Sequence, residues 1–176
     1  SKIESLIFAI TPDASVRFQK LRAGECDFIA EPSPADIAKI KGDNKYIVMT
    51  TEGLNIGYLA SNTEKPPLNQ VKVRKAVHMA LNRDSYIKAI YLNQAIKAKN
   101  PIPPTMWSYN NSVKDYNYDP VAAKKLLKEA GFGNGFDIEL WTLPVSRPYN
   151  PNGKKMGEMM QADLAKIGVR VKLVTY

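Results

Sequence analysis

Cysteine and histidine are almost absent: the 176-residue chain has one of each, Cys26 and His78. A lone cysteine excludes an internal disulfide, a cysteine-type zinc site and a CxxC redox pair. Its plainest reading is a small buried apolar residue. A lone histidine inside the helical run Val77-His78-Met79 is more often a surface or packing residue than a catalytic base. No GxSxG occurs, and no Ser-His-Asp order sits in a strand–turn–helix setting. A metal site would need carboxylates alone, and no DxDxDG-type spacing is there to hold calcium. Long apolar runs are also missing. Leu6-Ile7-Phe8-Ala9-Ile10 is far too short to span a bilayer. The start is mixed and polar, unlike a signal peptide. It has no initiator Met and begins in mid-pattern, so the chain is expected to be a portion of a longer one.

What is present reads as globular: 44% hydrophobic and 24% charged residues, enough for a core. The balance of 25 Lys+Arg against 17 Asp+Glu gives a net charge of +8. Such a balance permits nucleic-acid or anionic-membrane binding without showing either. Lys124, Lys125 and Lys128 share one predicted helix with Glu129, the pattern of a solvated helix face.

Strand and helix signals alternate along the chain, which predicts an α/β architecture. Strands are expected at Ser1 to Ile10, Asp27 to Ala30, Tyr46 to Thr51, Leu54 to Ala60, Phe136 to Leu143 and Val169 to Tyr176. In the first of these, Ile3, Leu6, Phe8 and Ile10 are available for burial. Thr11-Pro12-Asp13 and Ser33-Pro34 are helix starts, with Thr11 and Ser33 as caps. Gly24 and Gly42 are the stops. Val73, Ala76, Val77, Ala80 and Leu81 recur at helical spacing over Val71 to Leu81, and Asn82 caps a helix to Tyr91. Lys99 to Tyr118 is rich in Pro, Asn and aromatics. It reads as a long loop, functional or pinned by its aromatics. Asp119-Pro120 opens a helix ended by Gly131, and another runs from about Asn152 to Ile167. The glycines of Gly131-Phe132-Gly133-Asn134-Gly135 follow a helix and precede a strand, the reverse of a phosphate loop.

One stretch can carry recognition chemistry: Trp141 to Asn152, where a strand ends and a helix follows. Ligands of α/β proteins collect at such strand ends. Arg147 lies between prolines, in a segment stiffened on both sides. A pre-organised guanidinium can grip a carboxylate through two parallel hydrogen bonds, and Tyr149 adds a flat wall with a polar tip. The same residues also suit an exposed arginine on a proline-rich turn. Gly53 and Gly57 flank Asn55 and precede Tyr58. Glycines there suit a hinge or a simple bulge.

Pro66-Pro67-Leu68-Asn69-Gln70-Val71-Lys72-Val73-Arg74-Lys75-Ala76-Val77, then Asn82-Arg83-Asp84, then Asp119-Pro120 with Ala123, Leu126, Leu127, Ala130 and Gly131, resemble the extracytoplasmic solute-binding proteins of peptide ABC importers. Ile10 to Arg17, Gly53 to Tyr58, Ile102 to Trp107 and Arg147 to Asn152 extend the likeness to members that carry dipeptides, glutathione or haem. The resemblance implies a portion of a type II periplasmic-binding fold, with mixed sheets flanked by helices and two incomplete lobes. Residues 1–52 would belong to the first lobe, 53–60 to the crossing with hinge glycines Gly53 and Gly57, and 61–176 to the second lobe.

It also implies that Arg147 grips a peptide carboxylate, with Tyr149, Asn55 and Tyr58 at the ligand. The Asp for the amino group, and the disulfide partner of Cys26, would lie outside this sequence. The expected function is ligand capture and delivery to an inner-membrane ABC permease, by a periplasmic monomer with no catalysis, cofactor, metal or nucleic acid; lipid anchoring stays open. Glutathione or haem is the alternative cargo. A basic nucleic-acid-binding domain is the alternative of another class. It would need an interleaved aromatic and basic stripe, whereas the aromatics here follow core periodicity or fall in the long loop.

Overall fold

The computed structural model describes residues 2–175. The chain divides into two compact units, Ser1–Thr50 and Thr51–Tyr176. In the first, helix α1 (Ala14–Ala23) and helix α2 (Pro34–Ile40) are joined by extended chain and turns. Ser33 caps α2 as expected: Asp36 N donates to Ser33 Oγ at 3.1 Å. The cap of α1 is Asp13 rather than Thr11, its carboxylate accepting from Val16 N at 2.9 Å. The carbonyls of Thr11 and Pro12 are engaged differently, accepting from Arg17 Nη1 at 2.9 and 2.8 Å. Arg17 Nη2 also donates to Glu31 O at 3.0 Å. One guanidinium thus gathers the chain on both sides of α1.

The expected strands of this unit do not form. Residues 2–10, 27–30 and 46–50 carry no strand pairing. Ile3, Leu6, Phe8 and Ile10 are 67%, 69%, 83% and 93% exposed, not buried. A helix closes its own hydrogen bonds; a strand needs a neighbour to receive them. Alternation marks the faces of these segments but supplies no partner. The same holds for 54–60 in the second unit. Ser1 and Tyr176, the outer ends of two expected strands, lie outside the described residues.

The second unit contains helices α3 (Val71–Ala80), α4 (Arg83–Ile90) and α5 (Pro120–Glu129), strand β1 (Phe136–Trp141), helix α6 (Gly153–Ala165) and strand β2 (Val169–Val174). β1 and β2 pair in parallel from Phe136↔Val169 to Trp141↔Val174, with α6 as the crossover between them. On one face Arg170 holds Asp137 through two bonds of 2.8 and 2.9 Å. On the same face Lys172 holds Glu139 at 3.0 Å. The opposite face meets the helices in one core. Val73, Ala76, Val77 and Ala80 of α3 join Leu127 of α5, Leu164 of α6, Phe136 of β1 and Val169 of β2. The three-and-four spacing of α3 is therefore its buried stripe.

Two polar nodes lock the helices. Asp163 on α6, 6% exposed, accepts from Asn82 N at 2.9 Å, from Tyr86 Oη and from Lys166 Nζ at 2.7 Å. Burial disfavours its charge, yet bonds from Lys166, Tyr86 and Asn82 prevail and hold its carboxyl below the usual range. Burial, then the bond to Asp163, pushes the Tyr86 phenol up. The second node is Arg83, at the start of α4. Its Nη1 donates to Ala98 O at 3.0 Å, and its Nη2 to Tyr116 O and Asp115 Oδ2, both at 2.8 Å. His78 Nε2 lies 3.3 Å from Asp115 Oδ1, and its ring meets Tyr116 edge-on at 5.5 Å. Burial works against the Asp115 charge, but Arg83 and His78 outweigh it and lower its pKa. The loop expected at Lys99 to Tyr118 is present and is pinned here, with His78 acting as packing.

Candidate ligand-binding site

The stretch singled out in the sequence is built at the carboxyl end of β1. Thr142 N donates to Val174 O at 2.8 Å, carrying the ladder one step past the strand. α6 restarts the chain at Gly153, capped by Asn152, whose Oδ1 accepts from Lys155 N at 3.0 Å. Gly153 is dictated by contact: a Cβ there would lie 2.4 Å from Leu143 O. The helix start is thereby pressed against the strand end, and residues 144–152 are forced outward between them.

Within that loop Arg147 and Asn150 exchange backbone bonds, Arg147 N to Asn150 O at 3.0 Å and Asn150 N to Arg147 O at 2.9 Å. Pro148 and Tyr149 form the tip, and proline pre-sets the first corner. The turn is local, and it presents Arg147 exposed. Among the described residues no carboxylate lies within ion-pair distance of its guanidinium. Tyr149 is partly exposed beside it. An unpaired guanidinium on a braced turn can receive an anion from solution with two parallel bonds.

The turn is fastened at Tyr149 O. Tyr91 Oη, at the end of α4, donates to it at 2.7 Å. Burial raises the Tyr91 phenol above its ordinary value, so it remains a donor. Gly57 lies directly against the same carbonyl: a Cβ on it would be 2.7 Å from Tyr149 O and 3.5 Å from Tyr91 Oη. The structure therefore brings Gly57 to the Arg147 turn. A Cβ on Gly53 would meet only Asn55, at the ordinary contact distances of 3.9 and 4.0 Å. Asn55 and Tyr58 are exposed, and among the described residues no hydrogen bond joins either to the turn. Tyr91 carries no pattern in the sequence, since it follows the last apolar residue of a short helix.

Cys26, in the first unit, is an unbridged, half-buried thiol. Lys124, Lys125, Lys128 and Lys166 line a shallow concavity with Pro120 and Val121; this is the expected lysine face of α5, away from the core stripe. No cluster of metal-ligating side chains occurs among the described residues. No described helix is long and apolar enough to cross a membrane.

Comparison with known proteins gives consistent matches along the whole chain. A family model described as bacterial extracellular solute-binding proteins, family 5 middle, matches residues 1–176. The dipeptide-binding protein of Escherichia coli K12 is 56% identical over 175 residues, covering 99% of this chain and 33% of that protein. Heme-binding protein A of Haemophilus influenzae is 49% identical over 174 residues, covering 99% and 32%. The crystal structure of a Pseudoalteromonas dipeptide-binding protein in complex with Met-Leu superposes with a TM-score of 0.84 at 43% identity, covering 95% and 33%. The chain spans about a third of the length of the curated relatives it matches. The six helices and small parallel sheet among the described residues are the α/β middle portion of a type II periplasmic-binding fold. The chain belongs to the bacterial extracellular solute-binding proteins of family 5.

Proposed function

We propose that this chain is part of the extracytoplasmic substrate-binding component of an ABC importer, one that captures dipeptides or other short peptides in the periplasm and hands them to a membrane permease. The observation that carries the reading is the exposed Arg147 guanidinium, unpaired on a turn closed by its own backbone bonds to Asn150. Similarity to a dipeptide-binding protein at 56% identity supports the same cargo. A dipeptide is a short zwitterion with variable side chains. Gripping its two ends fixes ligand length while ignoring sequence. Arg147 takes the carboxylate, Tyr149 walls the ligand, and Asn55 and Tyr58 contribute from the crossing segment. The amino group is met by residues outside this chain.

Residues 1–52, 53–60 and 61–176 are read as first-lobe, crossing and second-lobe parts, with Gly53 and Gly57 at the crossing and Cys26 bridged to a cysteine beyond this sequence. The protein is read as a monomeric binder without catalysis, in keeping with its membership of a solute-binding family. Family membership favours this binder over a nucleic-acid-binding domain. A second cargo is supported by the 49% identity to a heme-binding protein; glutathione, with two carboxylates, would also use Arg147.

In the full-length protein Arg147→Ala is expected to weaken dipeptide binding by ~30- to several thousand-fold, the consequence of removing one partner of a desolvated charge pair worth ~2–5 kcal/mol. Arg147→Lys also binds poorly, because a point charge lacks the planar fork. Isothermal titration with dipeptides, tripeptides, glutathione and haem tests this. An unchanged dipeptide affinity in Arg147→Ala refutes the assignment, and tightest binding of haem or glutathione replaces the cargo.

A further inference from the structure

We infer that Tyr91 and Gly57 are positioning residues for Arg147, acting through the carbonyl oxygen of Tyr149. The inference rests on the reading of Arg147 as the carboxylate ligand and names what holds that ligand in register.

The turn from Arg147 to Asn150 is a single mechanical piece. Both backbone polar groups of Arg147 are committed to Asn150, and Pro148 fixes the torsion between them. Among the described residues, the carbonyl of this closed ring that takes a side-chain donor is Tyr149 O, bonded by Tyr91 Oη at 2.7 Å. Tyr91 is a firm post. It terminates α4, whose first turn is tied to Asp163 through Asn82 N and to the long loop through Arg83. The last turn of α4 is tied to α6 where Lys155 Nζ donates to Ala89 O at 3.0 Å. The hydroxyl therefore references the guanidinium turn to the packed core.

Gly57 supplies the other side. Its φ is not in the left-handed region that favours glycine. What excludes a side chain is the 2.7 Å approach of the missing Cβ position to Tyr149 O, with Tyr91 Oη only 3.5 Å away. Any larger residue forces either the Tyr149 carbonyl or the Gly57 backbone to shift. The crossing segment and the Arg147 turn are thus in contact at the atom that Tyr91 holds. A bidentate grip tolerates displacements of only about 0.5 Å, so a shift at this oxygen reaches ligand recognition without touching the ligand.

The test uses the full-length protein, the dipeptide Met-Leu and its C-terminal amide, by calorimetry, with melting temperatures alongside. Wild type is expected to favour the acid over the amide. Tyr91→Phe is expected to weaken the acid by about 3- to 10-fold, because the loosened turn must be re-ordered for a two-bond grip at a cost comparable to one hydrogen bond, while the amide affinity stays in place and the melting temperature falls by no more than a few degrees. Gly57→Ala is expected to narrow the acid-to-amide ratio further. If both variants keep the wild-type ratio, or lose acid and amide affinity in parallel, the positioning role is overturned and the Arg147 reading stands. If wild type shows no preference for the acid, the Arg147 reading falls and this inference with it. Should Gly57→Ala fail to fold, Tyr91→Phe decides alone.

Discussion

In the unit Thr51–Tyr176 three helices and two strands bring Val73, Leu127, Leu164, Phe136 and Val169 to one centre. In the unit Ser1–Thr50 each of two helices buries one large apolar side chain, Phe18 in α1 and Ile40 in α2. Others of its apolar residues, among them Phe8, Phe28, Ile47 and Met49, stand 72% or more exposed. Both units carry well-formed helix caps. What separates them is the sheet. β1 and β2 complete each other, and their inner face gives the helices something to cover. Among the described residues of the first unit no strand pairing occurs, and α1 and α2 have no such face to cover. Apolar pattern states what a segment is able to bury; only a neighbour turns that into a core.

The contrast is broken most directly by separating the two units. A chain of residues 51–176 is expected to unfold cooperatively in a circular-dichroism melt, whereas residues 1–50 alone show no transition. Cooperative melting of the shorter piece would mean that α1 and α2 need no sheet. A smaller effect comes from matched truncations in the whole chain, read by urea titration. Leu164→Ala, at a fully buried site, is expected to cost ~2–5 kcal/mol. Ile10→Ala, at an exposed one, stays within ~0.5 kcal/mol. Equal costs would show that the first unit has a core after all.

The smallest effect is one of pH. Asp163 and Asp115, both in the second unit, have carboxyl pKa values below the ordinary range in the folded state. Protonation therefore favours the unfolded chain. Their contribution is complete above the normal carboxylate pKa of ~4 and is lost as pH falls through the lower folded values. Asp163→Asn should cost about 1–3 kcal/mol near neutrality, since it weakens bonds from a buried hydroxyl and a lysine. It should also flatten the acid limb of a stability–pH curve. A variant curve parallel to wild type would remove Asp163 from the account.

Helices were legible because their rules are local. Ser33, Asn82, Asp119 and Asn152 each cap the helix that they precede in the sequence. The exception, Asp13 in place of Thr11, is a choice between two acceptors two residues apart, and the carboxylate took the amide. Strands were legible in kind but not in fact. Phe136 to Trp141 alternates and pairs; the segment ending at Ile10 has apolar residues to bury and does not pair. The long-range locks left no trace in the pattern. Asp163 meets Asn82 and Tyr86 across separations of 81 and 77 residues. The site was half readable: prolines announced a stiff Arg147 turn, while its attachment through Tyr91 depends on how α4 ends against that loop. Gly57 stood out as a candidate hinge or bulge; that its absent side chain also makes room for Tyr149 O had no signal in the sequence.

Arg83 draws Ala98 O, Asp115 and Tyr116 O onto one guanidinium. The residues between those anchor points thus leave and re-enter the body of the protein at a single gate. Such a segment is fastened at its base while its middle, where Trp107 is almost fully solvated, reaches into solvent: a change of side chain there would leave the Arg83 clasp, and the helices that it serves, untouched.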